Sequence, residues 1–454
     1  MKFSRILKSP IVLPILFFIV VIVLGAIILH GAERNKIDAL SWTDAVFTAT
    51  SAACVTGLVV VDTGSYFTPL GQAIILCLMQ VGGLGIMTFT SLSIYIWRRR
   101  TTITDRIAVG QILLHDATFN LGKFLIEIVC WTFLIEAIGA VLLFCMDPVA
   151  FSPFVALFHS VSAFCNAGFS LFKDSLMGFK GNWGVNLIFM TLIVLGGIGF
   201  SVFVELKGYL AKRIAGHRIP KGKGISWYAG IVLRTTMLLI LLGWAGIYFA
   251  EFVGYNRLMA TDDALLTALF QSITARTAGF NTLDIGRMTN VSLMVLLFLM
   301  FIGGAPGSCA GGIKVTTLRV LAAAIWSQMQ GKAQACIGRF AIRQNAVKKA
   351  MVLFLLASMI IFLAAFLLDF TEGGDKPHVL VRGQFLEILF ESVSAFCTVG
   401  LSTGLTATLS TAGKWIIIAL MFIGRLGPFV LIAALQSVQE TPYYRLPEET
   451  LMIG

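Results

Sequence analysis

The chain has 454 residues, of which 57% are apolar and only 13% charged, and its mean hydropathy is +0.89. Because soluble domains carry about a quarter charged residues, this composition excludes a water-soluble protein and indicates an integral membrane protein. The net charge of +11 does not indicate a nucleic-acid partner, since the basic residues are clustered between apolar segments, as membrane topology requires.

Eight apolar segments are long enough to span a bilayer. In chain order they cover residues 10–29, 71–97, 122–146, 185–206, 229–252, 291–324, 347–368 and 414–435. The first is interpreted as a retained span, because no small-residue cleavage site follows it before Glu33. Basic clusters at 98–100, 207–223 and 339–349 alternate with acidic segments. Since cytoplasmic loops carry the excess of Lys and Arg, both termini are expected in the cytoplasm.

A short motif occurs once within each consecutive pair of these segments. Each copy is apolar, is too short to cross the bilayer and ends in a glycine; the copies cover residues 44–57, 155–168, 266–279 and 387–400. The final glycines are 111, 111 and 121 residues apart, and six residues before them stand Ser51, Ser162, Ile273 and Ser394. A second landmark follows in the next segment, at Gly82-Gly83, Gly196-Gly197, Gly303-Gly304 and Gly424-Arg425.

This internal repeat predicts the fold. One copy alone would fit an amphipathic helix lying in the membrane interface, but four copies at fixed spacing favour re-entrant pore loops. The predicted fold class is an all-α integral membrane protein with eight transmembrane helices. It consists of four fused M1-P-M2 repeats (helix, re-entrant pore loop, helix) around a pseudo-fourfold pore. The repeats are expected at residues 1–105, 106–222, 223–335 and 336–454.

Four such loops facing one axis would replace the water around an ion with backbone carbonyls. Glycine permits the backbone conformations that this requires, and no carboxylate stands at the candidate positions, which favours potassium. The predicted potassium-binding filter consists of Val55, Thr56, Gly57, Asn166, Ala167, Gly168, Thr277, Ala278, Gly279, Thr398, Val399 and Gly400. His159 and Glu391, on the short helices, are expected to pack or hydrogen-bond, and Arg276 to brace its loop through a carboxylate or carbonyls.

On these four single-glycine motifs the sequence resembles the superfamily of Trk, Ktr and HKT potassium transporters, and is most like the Ktr-type membrane subunit. The resemblance covers nearly the whole chain. It implies a homodimer in the bacterial cytoplasmic membrane and a cytosolic ring of RCK-type nucleotide-binding subunits of the KtrA or KtrC kind. It also implies potassium as the substrate, sodium as an activator or coupling ion, and no covalently bound cofactor. In the family a serine at the first filter glycine goes with sodium transport, and Gly57 keeps the potassium pattern.

The third repeat contains a ten-residue interruption with five glycines and a proline, at residues 303–312, where a regular helix should fail. A structural kink is one interpretation, and the resemblance favours an intramembrane loop, at residues 303–314, that obstructs the pore. A charge at membrane depth, as at Arg425, is by default a functional hypothesis, with a structural salt bridge as the alternative. The predicted gate residues are Gly303, Gly304, Pro306, Gly307, Gly311, Gly312, Lys314 and Arg425.

A secondary transporter and an enzyme are the two alternatives to a channel-like pore. An ion-coupled secondary transporter would need carboxylates buried in the spans, and the candidates are Glu127, Glu136 and Glu205. The eight cysteines and five histidines follow no metal-site or catalytic spacing, so neither a metal site nor an enzyme is predicted.

Overall fold

A computed structural model describes residues 13–34, 39–99, 121–216, 224–254, 260–373, 377, 381 and 383–427, with side chains described outside 86–99 and 121–124. The chain is helical, and its helices fall into four successive groups. The first group is α1 (Leu13–Ala32), α2 (Trp42–Ala53), α3 (Thr63–Tyr66) and α4 (Pro69–Arg99). The second is α5 (Leu121–Met146), α6 (Pro153–Phe164), α7 (Trp183–Gly197) and α8 (Phe200–Ile214), with a 3₁₀ turn at Met177–Phe179.

The third group is α9 (Trp227–Tyr248), α10 (Thr261–Thr274), α11 (Asn290–Phe301) and α12 (Val315–Met329). A π-helical turn, Phe249–Gly254, extends α9, and a 3₁₀ turn lies at Ile285–Arg287. The last group follows an antiparallel hairpin of β1 (Cys336–Ile337) and β2 (Phe340–Ala341). It consists of α13 (Gln344–Glu372), α14 (Gln384–Phe396) and α15 (Thr411–Leu426), with a 3₁₀ turn at Leu405–Thr408.

The first helix of each group is apolar on every face, which is the pattern of a helix in contact with lipid. On α1, for example, Val20, Leu24 and Ile28 are each more than half exposed, whereas Phe18 and Leu29 are fully buried. Four helices of the described residues are long and apolar enough to cross a membrane: Leu13–Ala32, Leu125–Met146, Trp227–Gly254 and Gln344–Glu372. The pair α7 and α8 would add a fifth span, although the two helices meet at 111°.

The second helix of each group, α2, α6, α10 or α14, has only 12 to 14 residues. At 1.5 Å per residue such a helix is about 20 Å long, which is short of the roughly 30 Å hydrocarbon core. The C-terminal halves of these helices are nevertheless buried almost completely. They therefore lie inside the protein and not along its lipid-facing surface.

The four groups close into a ring. The helix α4 packs on α6, α7 on α10, α11 on α14, and α15 on α2, so each group contacts the next and the last contacts the first. The closure between the last and first groups includes an ion pair of 2.7 Å between Lys414 Nζ and Asp44 Oδ1. This ring brings the loops that follow the four short helices to a common centre.

Candidate ion pathway

Each short helix ends in a loop whose backbone changes handedness at every residue. We call residues 55–57, 166–168, 277–279 and 398–400 the glycine loops. Their first residues have positive φ (Val55 56°, Asn166 58°, Thr277 75°, Thr398 49°), and so do the glycines (72° to 92°), whereas the middle residues do not. Such alternation turns successive peptide carbonyls toward the same side, and a glycine is needed because a side chain disfavours these φ values.

The four glycine loops meet each other around one centre. A Cβ atom placed on Gly168 would lie 2.9 Å from the carbonyl oxygen of Ala278. A Cβ on Gly57, Gly279 or Gly400 would collide in the same way with the carbonyl oxygen of Ala167, Val399 or Thr56. Each glycine therefore faces the middle residue of the next loop, and the sequence of contacts closes on itself. There is no room for a side chain at any of the four positions.

Polar groups of the short helices hold the glycine loops from behind. Ser51 Oγ donates to Leu58 O (2.7 Å) and accepts from Gly57 N (3.1 Å). Ser162 Oγ donates to Phe169 O (2.8 Å), and Ser394 Oγ accepts from Gly400 N (3.1 Å). These bonds hold the backbone at or just beyond the glycine.

The third group differs from the others in its hydrogen bonds. In the other groups the middle residue of the glycine loop donates its N–H to the serine carbonyl, as from Ala167 to Ser162 (2.7 Å). In the third group Ala278 donates to Thr274 O (2.9 Å), not to a carbonyl at Ile273. Ile273, six residues before Gly279, therefore does not take the part that the serines play in this hydrogen bond. Four residues lie between the end of α10 at Thr274 and Gly279, whereas three lie between helix and glycine in the other groups.

Side chains near the middle of the short helices hold the chain just beyond the glycine. His159 Nε2 accepts from Leu171 N (3.3 Å), and Glu391 accepts from Thr403 N (3.1 Å) and Thr406 Oγ1 (2.7 Å). This confirms the expected hydrogen-bonding role of His159 and Glu391. An open vestibule lies on this side of the glycines, and all four of them line it together with Asp62, Lys173 and Asp174.

Residues 302–314, which we call the crossing loop, separate α11 from α12 on the opposite side of the glycine loops. Its ends pair with each other, since Gly303 N donates to Ile313 O (2.9 Å). It also binds the second group: Ala305 N donates to Gly197 O (2.9 Å) and Cys309 N to Gly196 O (3.2 Å). The regular helix has failed here, as the glycines and proline predicted.

The crossing loop also reaches the first and fourth groups. Cys309 Sγ lies 3.9 Å from Gly83 O, and a Cβ on Gly311 would collide with Cys397 O and Thr398 Oγ1. A Cβ on Gly312 would lie 3.3 Å from Cys397 Cβ. The loop, itself part of the third group, therefore contacts each of the other three groups.

Three cationic side chains hold this conformation. Arg425, which is 4% exposed, donates from Nη1 to Cys309 O and from Nη2 to Gly82 O (3.0 Å). Lys314 Nζ donates to Ala310 O (2.6 Å), and Arg276 donates to Gly303 O (3.3 Å) and to Thr236 O (3.3 Å). All of these partners are carbonyls, so the brace expected of Arg276 is confirmed. Within the described part of the chain, the hydrogen-bond partners of Arg425 include no carboxylate, which does not support the alternative of a structural salt bridge.

Three glutamates make the same pair of hydrogen bonds, which the sequence analysis did not predict. Glu33 accepts from Thr68 N (2.9 Å), Glu251 from Thr289 N (2.7 Å) and Glu372 from Ser410 N (3.1 Å), and each also accepts from the hydroxyl of the same residue. Each hydroxyl residue directly precedes the helix that follows a glycine loop, α4, α11 or α15. The signal in the sequence is a glutamate at or just after the end of the first helix, and a Thr or Ser just before the later helix, in the first, third and fourth groups.

The described residues were also searched for a coupling-ion or metal site formed by carboxylates, histidines and cysteines. Glu136 is buried and its Oε1 lies 3.7 Å from Cys165 Sγ, while Glu205 accepts from Ser226 Oγ (2.8 Å) near a helix end. No group of three or more His, Cys, Asp or Glu side chains that would hold a metal occurs among the described residues. Residues 100–120, 217–223 and 428–454 lie outside the described part of the chain. Parts of the predicted basic clusters and the end of the last predicted span fall in these segments.

Comparison with known proteins identifies the architecture. The family model described as "TrkH: Cation transport protein" matches residues 6–441. The chain belongs to this family. It is 36% identical to the Ktr system potassium uptake protein B of Bacillus subtilis over 98% of this chain and 96% of that protein. It is 37% identical to the protein of the same name from Vibrio alginolyticus over 92% and 90% of the two chains.

A further relative is the potassium/sodium uptake protein NtpJ of Enterococcus hirae, which is 34% identical over 96% of this chain and 95% of that protein. The crystal structure of the potassium transporter TrkH from Vibrio parahaemolyticus matches with a TM-score of 0.70 at 20% identity, covering 92% of this chain and 84% of that one. The chain is therefore a multi-pass membrane protein with the fold of this transporter family. Membership also confirms that it is a transport protein and not an enzyme.

Proposed function

We propose that this chain takes up potassium across the cell membrane through a pore on the axis of the four groups, with the glycine loops as its selectivity filter. The observation that carries the proposal is the closed ring of four loops with alternating φ. Rings of backbone carbonyls that replace the hydration shell, without a ring of charges, are the device that selects potassium. The close relation to two potassium uptake proteins supports the same substrate.

The electrostatics of the short helices suit a cation. Each short helix runs directly into its glycine loop, so four helix C-termini point at the space beneath the ring. The C-terminus of a helix carries roughly half a negative charge, which favours a cation, and the effect is stronger away from water. The pore therefore attracts a cation without placing a carboxylate on its path.

In this proposal each group is one repeat and the chain has eight spans. The second span of each repeat would be α4, the bent pair α7 and α8, the interrupted pair α11 and α12, and α15. The repeat boundaries at residues 105/106, 222/223 and 335/336 stay predictions. The vestibule with Asp62 and Asp174 would then face outward, and both termini and the β1–β2 hairpin would face the cytoplasm, in line with the positive segments.

The crossing loop would be the gate. It contacts the other three groups beneath the filter, and its contacts are hydrogen bonds and close glycine packing that a modest displacement would break. Arg425 and Lys314 would stabilise the closed state and add positive charge that opposes a cation. Opening would require energy from outside, and a homodimer with a cytosolic ring of RCK-type nucleotide-binding subunits, docked on basic cytoplasmic segments such as residues 339–349, would supply it. Sodium would act as an activator or coupling ion.

The experiment compares Gly57→Ser with Gly404→Ser in liposomes that contain the purified chain. Both glycines have positive φ, but only Gly57 faces a carbonyl of the ring, whereas nothing lies within 4 Å of a Cβ on Gly404. Gly57→Ser should lower potassium flux relative to sodium flux, and Gly404→Ser should leave that ratio unchanged. Equal ratios in both variants would refute the filter assignment. Flux that saturates with voltage and requires a coupled ion would favour the secondary transporter.

A further inference from the structure

Two buried cysteines from distant parts of the sequence meet beneath the filter. Cys165 is the C-cap of α6 and Cys309 lies in the crossing loop, and each is 1% exposed. A Cβ placed on Gly83 would lie 2.6 Å from Cys165 Sγ and 3.6 Å from Cys309 Sγ, and the two thiols interact with each other. The absence of a side chain at Gly83 leaves the space in which the two sulfur atoms come together.

Polar and charged groups surround the pair. The thiol of Cys165 donates a hydrogen bond to Glu136 Oε1 (3.7 Å). Arg425 donates to Cys309 O and interacts electrostatically with both thiols, so its positive charge compensates negative charge that develops on sulfur.

We propose that Cys165 and Cys309 form a reversible disulfide on exposure to a hydroperoxide, and that this bond locks the crossing loop against α6. The sulfur of Cys309 attacks one oxygen of hydrogen peroxide, the O–O bond breaks, and a sulfenic acid and water form. The sulfur of Cys165 then attacks the Cys309 sulfur, the S–O bond breaks, and the hydroxyl leaves as a second water with the proton from Cys165. Disulfides in reducing compartments are typically such transient, sensing ones.

The effect on transport rests on the proposed gating role of the crossing loop. If opening requires Cys309 to move away from α6, a covalent bond to Cys165 holds the loop in its closed position. The oxidised protein then cannot be opened, and a dithiol reductant restores it. The pair would make potassium entry sensitive to peroxide without any additional subunit.

The test uses the full-length chain in liposomes, treated with hydrogen peroxide and then with dithiothreitol. Mass spectrometry of digests should show the Cys165–Cys309 peptide, and potassium flux should be lost and then restored. Each of Cys165→Ser and Cys309→Ser should keep its own pre-treatment flux in peroxide. The matched control Cys54→Ser, at the corresponding corner of the first group, should respond as the unaltered chain does.

Two results would overturn parts of the reasoning separately. If peroxide oxidises the exposed Cys145 but yields no Cys165–Cys309 peptide, the disulfide inference is wrong and the gate is unaffected. If the peptide forms quantitatively while flux is unchanged, the disulfide exists and the proposed gating role of the crossing loop is wrong.

Discussion

Replacing Arg425 by Ala should open the pathway. In the described structure the guanidinium joins the crossing loop, through Cys309 O, to the first group, through Gly82 O at 3.0 Å. Of these two bonds, only the one to Cys309 O involves the crossing loop. A hydrogen bond from a charged donor contributes about 1.5–3 kcal/mol. Because 1.4 kcal/mol is a factor of ten in an equilibrium constant, its loss should raise the open population by roughly 10- to 150-fold.

The assay is rubidium or potassium uptake per folded molecule in liposomes without any cytosolic subunit. Arg425→Lys retains the positive charge but cannot make both hydrogen bonds of the guanidinium. It therefore distinguishes the electrostatic effect of the charge from the effect of linking the crossing loop to the first group. Shortening the loop between Gly307 and Gly311 should raise flux by the same reasoning. The exposed Arg319, on α12, provides the control Arg319→Ala, which should have no effect. If well-folded Arg425→Ala shows flux at or below that of the unaltered chain, Arg425 does not restrain the crossing loop. If the shortened loop yields little folded protein, the interruption is instead a kink needed for folding.

Three further predictions concern packing and stability. Gly311→Ala should raise flux in liposomes, because its Cβ would collide with the fourth group, whereas Gly307→Ala adds a Cβ in open space and should not; equal fluxes would exclude the steric explanation. Asp44→Asn or Lys414→Met should lower the free energy of unfolding by about 1 kcal/mol, with no additional loss in the double variant, as a double-mutant cycle in detergent would show. Glu251→Gln weakens the hydrogen bonds from Thr289, so it should lower the apparent melting temperature without changing the ratio of potassium to sodium flux. A changed ratio would mean that Glu251 also affects the filter.

The central elements were predictable because they depend on local sequence. The glycines at the ends of the short helices are needed for positive φ, and the interruption at residues 303–312 contains residues that do not sustain a helix. Both properties belong to the residues themselves, so the sequence indicates them without knowledge of the fold. Arg276 was expected to find carbonyls for the related reason that a buried guanidinium requires acceptors.

Other features depend on contacts between distant residues. The sequence showed that Cys165 and Cys309 exist but not that they meet, because their contact requires the ring to close and the crossing loop to turn inward. The different hydrogen bonding before Gly279 was hidden by the equal spacing of the glycines, because it depends on where α10 ends and not on the number of residues between the glycines. Glu251 and its equivalents looked like ordinary residues at the ends of spans.

The crossing loop, Arg276 and the longer turn before Gly279 all belong to the third group, and Arg425 belongs to the fourth. Four identical subunits around an axis would place four copies of every such element into the same volume, where one loop already contacts all neighbours. Joining the four groups in one polypeptide lets each group change independently. The glycine loops keep their closed ring, while the crossing loop and the arginine that binds it are single, non-equivalent segments on which mutation can act without altering the glycine loops.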